Sequence, residues 1–186
     1  MGKLSVFNFV SLDGYYKDVN NKTDWHQHGG KEEGKFSEQG VQSGSILVFG
    51  RITYEMMAGF WPTPLAHKMF AKVAEGMNKS EKIVFSKKMK QADWANTKIV
   101  SGNIVDEMKS LKKAVKKDLT ILGSGSIVTL FAEAGLIDTY IFMVDPIAIG
   151  NGTPIFKGIK KQLNLKLLSS KAFKSGVVLN TYEPQK

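Results

Sequence analysis

The sequence predicts an α/β protein of three layers, with a mostly parallel central sheet, helices on both of its faces and antiparallel edge strands at the C-terminal end. Three observations predict it. Short apolar runs alternate with amphipathic segments along the chain, without an internal repeat or low-complexity linker. Two of those runs, 45–49 and 119–122, are apolar almost throughout, as strands buried on both faces are. The last two β-rich runs, 163–173 and 176–183, meet at Lys174-Ser175-Gly176, which reads as a terminal hairpin.

Each element has its own warrant. Residues 3–12 are β-branched and aromatic and make the first strand, ended by the turn pair Asp13-Gly14. The polar stretch 15–30, rich in Gly and Asn, is a long loop. A helix follows over 31–42 with Phe36 inward, then the strand 45–49 and a short helix over 51–59. Trp61-Pro62 breaks the chain before a helix over 65–77, and 82–86 and 97–100 are further strands. Asn103 caps a helix to about 117, with Asp106 in the capping-box position. On that helix Ile104, Met108, Leu111 and Val115 share one face, and Lys109, Lys112, Lys113, Lys116 and Lys117 share the other, read as a solvated surface. After the strand 119–122, Gly123-Ser124-Gly125-Ser126 leads into a helix over 126–134 with Gly135 at its C-cap. A strand over 138–144 and an irregular Gly/Pro segment over 145–158 precede the terminal hairpin.

The 186 residues suit one domain, 1–186, and 42% hydrophobic residues can bury a real core. No cysteine is present, which excludes disulfides, a thiolate nucleophile and a zinc–thiolate site. No run approaches the ~18 apolar residues of a membrane span, so a cytoplasmic protein is expected. The net charge is +9, yet 25 of the 26 basic residues are Lys and only Arg51 is arginine. Base readout favours the planar guanidinium fork, so a nucleic-acid partner is not expected. His26-x-His28 could ligate a metal with a third group, but no acidic cluster is adjacent and no metal is expected.

Three strand ends carry chemistry. Gly123-Ser124-Gly125-Ser126 joins a buried strand to a helix start, where close backbone approach and free N–H groups favour a phosphate. It is not a full Rossmann fingerprint: Val128 stands where the third glycine would be. Asp145, 20 residues after Gly125 at the place of a ribose-binding acid, is followed by Pro146. Gly50-Arg51-Ile52-Thr53-Tyr54-Glu55 likewise joins a strand to a helix. A cation there opposes the helix dipole, a conflict that an anionic ligand would resolve. Ser86-Lys87-Lys88 follows a third strand and suits a phosphate monoester such as the 2′-phosphate of NADP. Ligands of open α/β sheets bind at such strand ends, and together the three suggest an extended dinucleotide.

These residues, with Ser11-Leu12-Asp13-Gly14, Gly135-Leu136-Ile137-Asp138 and Pro146-x-Ala148-Ile149-Gly150-x-Gly152-x-Pro154-x-Phe156, give an order and spacing that resembles the dihydrofolate-reductase-like superfamily. The closest resemblance is to the reductase domain of the bifunctional riboflavin-biosynthesis deaminase-reductase and its stand-alone relatives. The deaminase domain, and the Cys and His ligands it would need, are not in the sequence, so the bifunctional enzyme is not expected. The resemblance implies a reductase using NADPH as hydride donor, frequently a homodimer. It implies that Gly50, Arg51 and Thr53 hold cofactor phosphates, that Ser86 and Lys87 face the 2′-phosphate, and that Gly123, Ser124, Gly125, Ser126 and Ile127 line the pyrophosphate. Asp13 matches the acid of the riboflavin-type reductase. Glu32, after Trp25 and one turn before Phe36, stands where dihydrofolate reductase has its acid, over a longer spacing. The expected catalytic residues are thus Asp13 and Glu32, and the expected substrate pocket is Trp25, Phe36, Tyr54 and Trp61, whose rings would stack on a planar heterocycle. The expected function is hydride transfer to a pterin, pyrimidine or related compound; the alternative is a non-catalytic, dimeric nucleotide- or pterin-binding protein.

Overall fold

The computed structural model describes residues 1–26 and 30–185. In chain order the elements are β1 (Leu4–Ser11), β2 (Tyr15–Lys17), α1 (Lys31–Gln42), β3 (Ile46–Gly50), α2 (Arg51–Phe60), α3 (Pro64–Lys79), β4 (Lys82–Phe85) and β5 (Thr97–Val100). They continue with α4 (Ile104–Ala114), β6 (Leu119–Leu122), α5 (Gly125–Glu133), β7 (Thr139–Asp145), β8 (Thr153–Pro154), β9 (Leu165–Ala172) and β10 (Val178–Pro184). Eight strands form one sheet in the order β5-β4-β3-β6-β1-β7-β10-β9, and β2 pairs with β8 apart from it. From β5 across to β7 every neighbour is parallel. The hairpin β9–β10 adds antiparallel to β7. No helix among the described residues is long and apolar enough to cross a membrane.

Alternation along the central strands sorts the core into layers. On β3, Ile46 and Val48 pack with Met108 of α4 and Val128 and Phe131 of α5. Their neighbours Leu47 and Phe49 face the other way, against Tyr54 of α2 and Met77 of α3. On β1, Leu4, Val6 and Val10 join the first cluster, while Phe7 and Phe9 meet Phe36 of α1 and Phe173 and Val177 of the hairpin turn. Helices therefore cover both faces, as expected from the apolar strand runs. The parallel strand ends all emerge at one edge.

Three expectations are corrected. The loop predicted over 15–30 opens with β2, and the irregular segment 145–158 contains its partner β8. Helix α4 stops at Ala114, because Val115 turns extended at φ −91°. Lys112 does not lie on a solvated face: its Nζ is buried, 2.6 Å from Asp138 Oδ2 and 2.6 Å from the Leu136 carbonyl oxygen.

Lys82 departs furthest from the rule that lysines here solvate surfaces, being only 1% exposed. Its Nζ donates to the carbonyls of Ser80 (2.6 Å), Ala95 (3.0 Å) and Asn78 (3.2 Å), and lies 4.5 Å from the centre of the Trp94 ring. Burial pulls its pKa from the ordinary 10.5 down to about 8. Between those values the unfolded chain holds the proton more tightly than the folded one, so stability rises with pH. The cost of the buried charge is fully present below the folded value and gone above the unfolded one. Raising pH from 7.5 to 10 should therefore stabilise the protein over Lys82→Met by up to about 3 kcal/mol. Urea unfolding at both pH values reads the difference, and a pH-independent gap between the two proteins would remove this role.

Candidate functional site

The carboxyl ends of β4, β3, β6, β1 and β7 bring the predicted motifs onto one edge of the sheet. Strand β3 ends at Gly50, the N-cap of α2, and β6 runs through Gly123 and Ser124 into α5. Gly123 (φ 62°) and Ser124 (φ 60°, ψ 59°) are both left-handed. For a serine that conformation costs about 1 kcal/mol or more and persists only where its surroundings hold it. Here Ser124 Oγ accepts the Gly50 N–H at 2.8 Å, stapling one glycine turn to the other. Thr53 lies against the same turn: a Cβ on Gly123 would stand 3.0 Å from its Cγ2. Ile127 packs beside Gly50 in the same way, 3.1 Å from where a Cβ would be.

Helices α3 and α4 are capped by the side chains of Thr63 and Asn103. Helices α2 and α5, whose N-termini open on this edge, have no side-chain cap among the described residues. Their first N–H groups and dipoles converge on the stapled turns, a setting that favours an anion. Arg51 belongs to the first turn of α2, where its guanidinium reaches along the helix to Glu55 at 2.8 and 3.0 Å. One strand further out, Ser86 is buried and its Oγ accepts the N–H groups of Lys88 (3.1 Å) and Met89 (3.0 Å). Lys87 is exposed beside it, and Ser126 is exposed on the first turn of α5.

Two residues that the motif reading missed also face these turns. The Tyr16 ring lies over Gly125, where a Cβ would come within 2.8 Å of its Cε1. Burial raises the pKa of that phenol, partly offset by the Gly125 N–H. Asn8, 5% exposed, stands on β1 facing the Gly123 turn, and its Nδ2 has no hydrogen-bond partner among the described residues. A polar residue within an apolar strand run was the available signal for Asn8. Tyr16 gave none, because its position depends on the β2–β8 pairing.

Beyond β1 the two remaining motifs interlock. Asp13 Oδ1 accepts from the Ser11 hydroxyl (2.6 Å) and the Ile149 N–H (3.2 Å), and its Oδ2 accepts from the Gly150 N–H (2.8 Å). Leu12 N–H donates to the Ile147 carbonyl at 2.7 Å. Gly152 passes so close to β2 that a Cβ would overlap the Lys17 carbonyl. The Ser11 hydroxyl above all, then the Gly150 and Ile149 N–H groups, hold the Asp13 carboxyl below its usual range. Asp13 thus clasps two loops together and stays ionised at neutral pH.

The structure separates the other expected residues. Glu32 turns to the terminal hairpin, accepting the Lys174 N–H at 2.9 Å with Lys171 Nζ at 3.5 Å; the former chiefly lowers its pKa. Its neighbour Glu33 accepts from Ser175 Oγ. Phe36 packs on Phe7, ring centres 5.5 Å apart. Tyr54 is buried among Phe49 and Trp94, and its hydroxyl accepts the Trp94 N–H at 3.1 Å. Trp61 donates to Met57 Sδ at 3.0 Å and packs between Phe60 and Phe70. Tyr54 and Trp61 therefore belong to the α2–α3 side, and Trp25 and Phe36 to the β1 side.

Trp25 meets His26 edge-on, and His26 stacks on Phe9 at 3.6 Å. His26 Nδ1 lies 2.7 Å from Asp145 Oδ2, and both side chains are 1% exposed. The structure thus pairs His26 with Asp145. His28 of the metal motif lies outside the described residues, and among those residues no three His, Asp or Glu side chains gather as a metal site. Recesses of about 530 Å³ beside Met89 and Trp94, and of about 350 Å³ beside Val41 and Lys117, lie away from the glycine turns.

Comparison with known proteins agrees with this geometry. The family model described as the RibD C-terminal domain matches residues 3–179. An uncharacterized protein of Bacillus subtilis (strain 168), YyaP, is 30% identical over 177 residues, covering 93% of this chain and 90% of its own. A crystal structure named for riboflavin biosynthesis, from Shewanella sp. PV-4, superposes with a TM-score of 0.78 at 24% identity, covering 99% of both chains. Dihydrofolate reductase from Enterococcus faecalis, solved with NADP(H), gives 0.69 at 17% identity, over 100% of this chain and 98% of that one. The fold is dihydrofolate-reductase-like.

Proposed function

The chain belongs to the RibD C-terminal domain family, and on that premise we propose that it is an NADPH-dependent reductase that delivers hydride to a small planar heterocycle, a pyrimidine or pterin. The observation that carries the proposal is the Gly50–Ser124 staple, which sets two uncapped helix N-termini side by side at adjacent parallel strand ends. The residues present fit a dinucleotide: paired anion-binding turns, Lys87 one strand outward and the unsatisfied Asn8 amide one strand inward. Bound NADPH would supply the hydride; binding, orientation and electrostatics fall to the protein.

Strand order arranges those tasks. Ser86 and Lys87 at the end of β4 would take the 2′-phosphate. Arg51 and Thr53 on α2, with Gly123 to Ile127 leading into α5, would take the central phosphates. Tyr16 would yield its place over Gly125 to them. The reduced ring would then lie toward β1 and β7, near Trp25 and the clasp made by Asp13. Neither Asp13 nor Glu32 suits proton donation at neutral pH, because hydrogen bonds hold both carboxyls ionised. Asp13 is better suited to accept an N–H of the heterocycle and orient it.

A homodimer and a cytoplasmic setting complete the proposal. The dimer draws support from edge strand β9, which exposes Leu167 (52%) and Leu168 (49%). The second reading is a non-catalytic nucleotide- or pterin-binding protein of this fold.

Titration with NADPH, followed by nicotinamide fluorescence, tests the first reading. No binding up to millimolar NADPH would end it, and bound NADPH that no heterocycle panel oxidises would favour the second. Lys87→Ala should lower the preference for NADPH over NADH about tenfold, the worth of one charge-assisted contact. An unchanged preference would remove Lys87 from the 2′-phosphate.

A further inference from the structure

Asn8 stands at the stapled turns with a buried side-chain donor that no described residue satisfies. Phe7 pairs with Leu122, so Asn8 stands level with Gly123, where β6 gives way to its turn. Its side chain is 5% exposed and faces that turn: a Cβ on Gly123 would lie 3.9 Å from Asn8 Oδ1 and 3.5 Å from Thr53 Oγ1. The flanking strand residues Val6 and Val10 belong to the apolar core. A leucine or valine would satisfy such a position. A buried amide with an unpaired N–H carries the full desolvation penalty of that group, and native proteins keep few of these. Three other polar side chains at the edge have partners within the protein: Ser124 in Gly50, Ser86 in Lys88 and Met89, and Asp13 in Ser11, Ile149 and Gly150.

We infer that Asn8 is a cofactor-binding residue, whose side-chain N–H donates to an oxygen acceptor on the nicotinamide-mononucleotide half of the bound dinucleotide. The inference rests on the NADPH reading above and goes beyond it in assigning the Asn8 side-chain donor to one half of the ligand. Position decides the half. With the 2′-phosphate end at β4 and the phosphate turns at β3 and β6, the next strand inward is β1, which carries Asn8. Two acceptors share the required chemistry, a 5′-phosphate oxygen and the carboxamide oxygen, and different ligand fragments distinguish them. The unpaired donor in the free protein and the paired donor in the complex are two sides of one trade: stability is given up until the ligand arrives.

The test uses the full chain, wild type and Asn8→Leu, with NADPH, 2′,5′-ADP and 2′-phospho-ADP-ribose as probes in calorimetric titration. Asn8→Leu should bind NADPH about tenfold more weakly and 2′,5′-ADP as wild type does. Its melting temperature without ligand should equal or exceed that of wild type, because the unpaired amide is gone. Weakened 2′-phospho-ADP-ribose binding would place the donor on the phosphate, and unchanged binding would place it on the carboxamide. Should the larger leucine prevent folding, Asn8→Ala serves the same comparison. NADPH affinity unchanged in the variant, or equal losses for NADPH and 2′,5′-ADP, would overturn the assignment of Asn8 while leaving the cofactor reading intact. Wild type that binds neither NADPH nor 2′,5′-ADP would overturn both.

Discussion

Asp145→Ala should lower the unfolding free energy by about 3 kcal/mol, the upper end of the usual loss when a buried hydrogen-bonding group is left without its partner. Asp145 ends β7 beside Ser11 of β1, and its carboxylate meets His26 Nδ1 at 2.7 Å with 1% of either side chain exposed. Without it, the imidazole, stacked on Phe9 with ring centres 3.6 Å apart, loses the side chain that Nδ1 meets at 2.7 Å. The damage would spread, because this pair ties the loop after β2 to the carboxyl end of β7. Urea unfolding reads the loss directly, and the melting temperature should fall by about 10 °C in a chain of this size. Asp145→Asn keeps an acceptor for an Nδ1–H and should lose about half as much. A loss under about 1 kcal/mol for Asp145→Ala would show that the pair is dispensable.

That pair also marks the boundary of what the sequence makes legible. The parallel strands were readable because their apolar runs and the glycines that end them are local signals. Helix α4 was readable at its start, where Asn103 accepts from Val105 and Asp106, since capping chemistry is local too. His26 and Asp145 lie 119 residues apart, and no local pattern joins them. The β2–β8 ribbon escaped for the same reason, with three residues pairing to two across the length of the fold.

The Ser-Leu-Asp-Gly motif was found, yet its acid had a role that its neighbours alone do not show. Asp13 accepts from Ile149 and Gly150, so two motifs read as separate signatures form one clasp. Glu32 fitted the helical spacing of a pocket acid, but the terminal hairpin supplies Lys174 and Lys171 to it instead. Lysines misled in one consistent way. A Lys-rich composition implies solvated ammonium groups, whereas Lys82 is buried against the carbonyl oxygens of Ser80 and Ala95, and Lys112 against that of Leu136.

Arg51→Ala should weaken NADPH binding about 100-fold while changing stability by no more than about 0.5 kcal/mol. The small stability effect follows from the free protein: among the described residues the guanidinium, its side chain 37% exposed, pairs with Glu55 one turn along its own helix. Such pairs contribute a few tenths of a kcal/mol, and this cation sits at the dipole end that disfavours it. The large binding effect follows from the same geometry. Releasing Glu55 costs little, so a phosphate held by the N–H groups of α2 can recruit the planar fork in two parallel hydrogen bonds. Arg51→Lys keeps the charge without the fork and should lose about tenfold. Glu55→Ala frees the guanidinium in advance and should bind NADPH at least as well as wild type. Equal affinity in Arg51→Ala and wild type would take Arg51 off the phosphates. A fall in Glu55→Ala to match would show instead that the helical pair itself shapes the turn. A chain that uses lysine at 25 of 26 basic positions keeps arginine at this one, where bidentate geometry, which lysine lacks, would serve a ligand and does almost nothing for the fold.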